Sequence, residues 1–293
     1  MVTVRAPATS ANLGSGFDVF GVALDRPADY VRAEPADETT IEITGVGSRY
    51  IPEDPDKNVI GAVADELGVT ADVYLDNGVR PASGLGSSAA SAAGAAVALN
   101  ELYDLGYTRR ELVPVAAEGE AVVAGEAHAD NVAPALLGGF TVVRDDGLTR
   151  VDASLSLVAC LPEIVISTSD ARGVVPESVP LSDVVETVGS AATVVTGMHR
   201  NDPALVGRGL RDEIVTPTRA ALIDGYEVVA EAALDAGATG VTVSGAGPAM
   251  LAVCREGGRL AVATAMIDAF DDAGVDARSF QTRIGDGASV IEA

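Results

Sequence analysis

The chain contains no tryptophan, two cysteines and one lysine, Lys57, among 293 residues. Cys160 and Cys254 each lie in an apolar run (LSLVAC, MLAVC) that reads as a buried strand. Two such cysteines exclude a disulfide framework and a CxxC metal site, and they fit a reducing cytoplasm. The start, MVTVRAPATS, has no apolar targeting core. The longest low-polarity stretch, Ala89 to Leu99, is short and mostly alanine, well below the ~20 apolar residues of a membrane span. A cytoplasmic protein is expected.

Basic side chains are also scarce. Nineteen Lys and Arg stand against 43 Asp and Glu, a formal charge of -24. Such a polyanion repels nucleic acid and anionic membrane surfaces, so neither is an expected partner. The acids are dispersed (PADET, PEDPD, IDAFDDAGVD). A dispersed acidic surface almost without lysine suits a cytosol at molar salt, where the Debye length is only about 3 Å. A halophilic source is the favoured reading, and a merely acidic mesophilic enzyme is the alternative. With 48% hydrophobic residues, the chain can bury a core without staples.

Periodicity interleaves strands and helices. VTVRAP, FDVFGVAL, YVRAEP and TTIEIT read as strands, and Lys57 to Leu67 as a helix closed by Gly68. A strand, ADVYLD, leads through a Gly/Ser loop into an Ala-rich helix from about Ser88 to Leu102, with another helix over 109–124. The second half restarts the pattern after a turn-rich stretch near Asp152. The class is α+β in two lobes, divided as residues 1–152 and 153–293.

Three glycine-rich segments carry the chemistry. PASGLGSSAAS, Pro81 to Ser91, follows a strand and opens a helix. Gly84 and Gly86 permit close backbone approach, and free N–H groups at the helix start point at an anion with the helix dipole behind them. That builds a phosphate cradle, or else an ordinary strand-to-helix turn. It is not a Walker A loop, and the only lysine lies elsewhere, in DPDKNV. PATSANLGSGFDVFG, Pro7 to Gly21, gathers Thr9, Ser10, Asn12 and Asp18 and lines a cleft or forms a hairpin loop. VSGAGPAM, Val243 to Met250, is a tight turn between apolar strands.

In order and spacing these three segments resemble the signatures of the GHMP kinase superfamily. With HADNVAPALLGGF, His128 to Phe140, preceded by Glu120, they resemble its homoserine kinases most. The resemblance implies a two-lobed fold, with a left-handed β-α-β unit in the N-terminal lobe and a ferredoxin-like C-terminal lobe. It implies ATP-dependent phosphorylation of L-homoserine in threonine biosynthesis, with ATP as co-substrate and Mg²⁺ as cofactor. Residues Pro81, Ala82, Ser83, Gly84, Leu85, Gly86, Ser87, Ser88, Ala89, Ala90 and Ser91 would bind nucleotide, with Asn58 at the adenine. Ser88 and Glu120 would hold Mg²⁺. Asn12, Asp18, His128, Arg172 and Arg219 would bind the substrate, Asp18 at the ammonium and the arginines at the carboxylate. Asn131 and Arg172 would stabilise the transferring phosphoryl group. Asp130 is the generic base candidate; otherwise it caps the following turn. Outside the resemblance, Glu120 reads as a solvated helix carboxylate and Asn58 as a helix-start polar residue. Homodimers are common among such kinases, though no interface is readable from the residues. Two other readings stay open: a shikimate or mevalonate kinase of the same superfamily, and a non-catalytic metabolite sensor on that fold.

Overall fold

VTVRAPATSA, with burial that alternates over Val2 to Arg5 and is continuous from Ala6, forms strand β1 (Val2–Ala11) in a computed structural model that describes residues 1–124 and 129–293. Strand β2 (Phe20–Pro35) pairs antiparallel with β1 and is one 16-residue strand, so the two strands expected at FDVFGVAL and YVRAEP are continuous. Backbone pairing resumes beyond Arg26 and Pro27 after a register shift, and this carries the strand through a segment that sequence patterning reads as a break. Strand β3 (Thr40–Gly45), helix α1 (Val59–Leu67) and strand β4 (Ala71–Asn77) form a parallel β-α-β unit.

Helix α2 (Ser87–Leu102) is buried continuously from Ala89 to Asn100. Its alanines cost little helix entropy and let it lie close on β1 and β2. Helices α3 (Leu112–Ala124) and α4 (Ala129–Leu137) pack beside it, followed by the hairpin β5 (Phe140–Arg144) and β6 (Gly147–Val151). The sheet runs β1, β2, β4, β3, with β5 also on β2 and β6 on β5.

The second lobe begins with β7 (Ser156–Pro162) and short α5 (Thr168–Gly173), then α6 (Leu181–Arg200), α7 (Pro203–Gly209) and α8 (Thr216–Ala220). Helix α9 (Tyr226–Asp235), strands β8 (Ala238–Val243) and β9 (Met250–Cys254), helix α10 (Arg259–Asp272) and strand β10 (Ala277–Arg283) follow. The sheet order β10-β7-β9-β8 is the 4-1-3-2 arrangement of a ferredoxin-like lobe. A last strand, β11 (Ser289–Glu292), crosses back to pair with β1. The chain beyond residue 152 is therefore not confined to the second lobe.

Period-2 burial divides the second sheet between two cores. Leu157, Ala159, Leu161, Leu251 and Val253 join the large core shared with the first lobe. Val158, Cys160, Met250, Ala252 and Cys254 face α9 and α10. Burial pushes the Cys160 and Cys254 thiols up to about 12 and 11, so both stay protonated and serve as packing. Because β9 is packed on both faces, the glycine turn that leads into it, with Gly245 and Gly247, has a fixed position against the first lobe. No helix among the described residues is long and apolar enough to cross a membrane.

Candidate active site

The three glycine-rich segments meet at one place. Gly86, with φ 65°, caps α2 without any side-chain hydrogen bond, so the first-turn N–H groups remain available to an anion. A Cβ at Gly86 would lie 2.0 Å from Thr9 Oγ1 and 3.0 Å from Asn131 Oδ1, so only glycine fits. Thr9 N–H donates to Leu85 O at 3.0 Å, and Thr9 Oγ1 donates to Asn131 Oδ1 at 2.8 Å. Thus the first segment holds the glycine loop before α2 and also places Asn131 against it.

The third segment braces the loop from the other lobe. Ser244 Oγ lies 2.7 Å from Gly84 O and 2.8 Å from Ser10 Oγ, and Ala249 N–H donates to Ser83 O at 3.0 Å. Gly245 N–H donates to Ala11 O at 3.1 Å, and Asn12 Nδ2 donates to Gly245 O at 3.0 Å. Ser244 is a structural part of the site that sequence reasoning missed, because alone its segment reads as a plain hairpin.

Glu120, on α3, is buried beside the start of α2. Its Oε1 accepts from Ser88 Oγ at 2.6 Å, while Oε2 is buried without a partner. Burial pushes its pKa up to about 8, with Ser88 opposing and Asp130 adding to the rise. A buried carboxylate oxygen lacking a partner beside a hydroxyl fits Mg²⁺, which takes one or two protein oxygens and completes its shell with phosphate oxygens and water.

On the other side of the loop stand the groups expected to bind substrate. Asp18, at φ 57°, is set by its own N–H donating to Asn12 Oδ1 at 3.0 Å. Its carboxylate pairs with Arg172 Nη1 of α5 at 2.6 Å across the lobes. Arg219 of α8 is buried and donates from Nε to Ala171 O at 3.2 Å and from Nη1 to Gly245 O at 2.8 Å. Desolvation lowers its pKa, neighbouring Arg172 adds to this and Asp18 opposes it. Both guanidiniums lie over the Phe17 ring, 5.1 Å and 5.0 Å from its centroid, and the negative face of the ring moderates their mutual repulsion. Phe17 was also missed, since one aromatic in a glycine loop gives no periodic signal.

Asn131 Nδ2 donates to Asp130 Oδ1 at 3.4 Å, and Asp130 is buried at the start of α4. Asn58, for which the resemblance implies an adenine contact, also has a capping role in the fold. It is buried and caps α1, Oδ1 accepting from Ile60 N–H at 2.9 Å and Nδ2 donating to Pro52 O at 2.6 Å. His128 lies outside the described residues.

The models for the GHMP kinase N-terminal and C-terminal domains match residues 57–139 and 194–272. The chain belongs to the GHMP kinase superfamily. It is 69% identical to the homoserine kinase of Natronomonas pharaonis, over 99% of this chain and all of that one. It is 68% identical to that of Haloarcula marismortui, over 99% of this chain and all of that one. Both relatives come from halophilic archaea, in keeping with the acidic, lysine-poor composition. The crystal structure of a Cytophaga hutchinsonii homoserine kinase superposes with a TM-score of 0.90 at 35% identity, covering 99% of this chain and 97% of that one. Within the superfamily, the homoserine kinases are the family to which the chain belongs.

Proposed function

We propose that the chain transfers the γ-phosphoryl group of ATP to the side-chain hydroxyl of L-homoserine, giving ADP and O-phospho-L-homoserine for threonine biosynthesis. The observation that carries this reading is the shared floor of the site: Asn12, Gly245 and Arg219 join the Asp18–Arg172 pair to the loop that cradles phosphate. Homoserine is a zwitterion with a terminal hydroxyl, and Asp18 and Arg172 offer it one charge of each sign. Its ammonium displaces Arg172 from Asp18, and its carboxylate takes the released guanidinium and the free edge of Arg219. The ammonium then faces Asp18 and the carboxylate faces two guanidiniums. A substrate without an amino group would strand Asp18.

The amides at the start of α2 hold the phosphates. Ser88 Oγ and the Glu120 carboxylate would hold Mg²⁺, which neutralises phosphate charge when bound. Phosphoryl transfer proceeds through a loose transition state, so positioning and charge stabilisation supply most of the rate. Asn131, anchored by Thr9 beside Gly86, and Arg172 stabilise the transferring group. Asp130 sits next to Asn131 and orients its amide; as the new O–P bond forms and the bond from the γ-phosphorus to the ADP oxygen breaks, the hydroxyl proton passes to a phosphate oxygen or to water, so this reading needs no strong base.

The test is coupled ADP release with L-homoserine, shikimate and mevalonate in parallel, in molar KCl. Homoserine alone should support turnover. Turnover with mevalonate or shikimate and none with homoserine refutes the assignment.

A further inference from the structure

Asp29 is a buried carboxylate that the proposed chemistry leaves unused. It lies in β2 with no exposed surface. Its three donors are all neutral. Oδ1 accepts from the backbone N–H groups of Gly78 and Val79, each at 2.9 Å, and Oδ2 accepts from the Ser91 hydroxyl at 2.8 Å. Burying a carboxylate without a cation is costly, and its pKa is pushed up to about 6 as a result. Packing alone would be served better by an apolar side chain of the same size.

The donors come from two places, and this points to what the carboxylate does. Gly78 and Val79 form the stem by which the chain leaves β4 for the phosphate loop, while Ser91 is one turn into α2. The stem meets β2 closely: a Cβ at Gly78 would lie 2.0 Å from Ala28 O. Val79 O accepts from Ser87 Oγ at 2.7 Å and from Asn77 Nδ2 at 3.0 Å, closing a ring of polar contacts between stem and helix. The far end of the loop is held by Thr9 and Ser244. Two adjacent buried N–H groups need acceptors, and one carboxylate serves both and still reaches the helix.

We propose that Asp29 is a positioning residue for nucleotide binding: it ties the stem of the phosphate loop, at Gly78 and Val79, to α2 through Ser91, and thereby holds the amide cradle in the shape that ATP requires. This rests on ATP as co-substrate and is independent of the acceptor.

The experiment measures ADP binding to the full chain by calorimetry, with Mg²⁺ and without homoserine, and then the two KM values. Asp29→Ala removes all three acceptor contacts. It should weaken ADP binding and raise the KM for ATP by roughly 10- to 100-fold, the usual effect of losing a support one step behind the ligand, with the KM for homoserine unchanged. Asp29→Asn should behave as wild type, because Oδ1 still accepts from both amides and Nδ2 can donate to Ser91 Oγ. Ser91→Ala should weaken ADP less than Asp29→Ala. The proposal is overturned if Asp29→Ala lowers the melting temperature but binds ADP normally, if both KM values rise together, or if Asp29→Asn is as damaged as Asp29→Ala. Should Asp29→Ala not fold, Ser91→Ala decides, and unchanged ADP affinity in that variant overturns the proposal.

Discussion

Replacing Gly86 by alanine tests how the phosphate loop and Asn131 are joined. The new Cβ would sit 2.0 Å from Thr9 Oγ1, and Thr9 cannot retreat easily because its backbone is bonded to Leu85. Alanine at φ 65° also adds about 1–2 kcal/mol of backbone strain. Breaking the Thr9–Asn131 hydrogen bond adds about 1 kcal/mol. The sum, about 2–3 kcal/mol, is smaller than the 5–15 kcal/mol stability of a typical domain, so the variant should fold. Catalysis should suffer far more, because Asn131 loses its anchor. Loss of one positioned donor costs about 10²–10³ in kcat. The assay is steady-state kinetics with ATP and homoserine, alongside a thermal melt. In Gly86→Ala/Thr9→Ala the clash is relieved but Asn131 remains unanchored, so the melting temperature should recover in part and kcat should not. A Gly86→Ala variant with wild-type kcat and KM for ATP would refute the assigned role of this contact.

Three further outcomes are expected. Glu120→Gln should lower kcat strongly at fixed Mg²⁺ and recover partly with excess metal; wild-type kinetics at limiting Mg²⁺ would remove Glu120 as a ligand. Arg172→Lys should lower kcat by about 10²–10³, whereas Arg219→Lys should chiefly raise the KM for homoserine and lower the melting temperature, since two backbone carbonyls lose their donor. Asp29 titrates at about 6 in the fold against 3.8 in the unfolded chain, with Asp76 the charged group that adds to the rise. Its stabilisation is therefore complete below 3.8 and lost as pH rises through about 6, an amount of about 3 kcal/mol. Denaturant melts of wild type and Asp29→Asn should show the variant gaining on wild type by that order between those pH values, and a constant difference would contradict it.

The parts legible in the sequence were those with local chemistry. Asn58 and Gly68 bracket α1, and the Ala-rich run after Ser87 is α2. The loop before α2 could be read because Gly84 and Gly86, both at positive φ, directly precede a helix start. Helix α4 was hidden by Pro134 inside it, which removes an N–H and spoils the local signal; burial of Val132, Ala133, Ala135 and Leu136 outweighs that loss. Strand β11 is short and exposed apart from Val290, and only its pairing with β1 defines it. In the site, Asp18 and Arg172 were identified through the resemblance, but their mutual ion pair joins residues 154 positions apart and could not be read. Asp29 gives no local signal, because its donors lie 49, 50 and 62 positions away. Asn58 was legible as a helix-start residue, and its Oδ1 and Nδ2 make the local capping contacts that this reading expects.

The group that accepts the phosphoryl from ATP is the hydroxyl of homoserine. Phosphorus NMR of the chain with ATP, Mg²⁺ and L-homoserine in molar KCl tests it most directly. A phosphomonoester resonance of O-phospho-L-homoserine should rise in step with ADP. ADP accompanied only by inorganic phosphate, or no turnover at all, would contradict it.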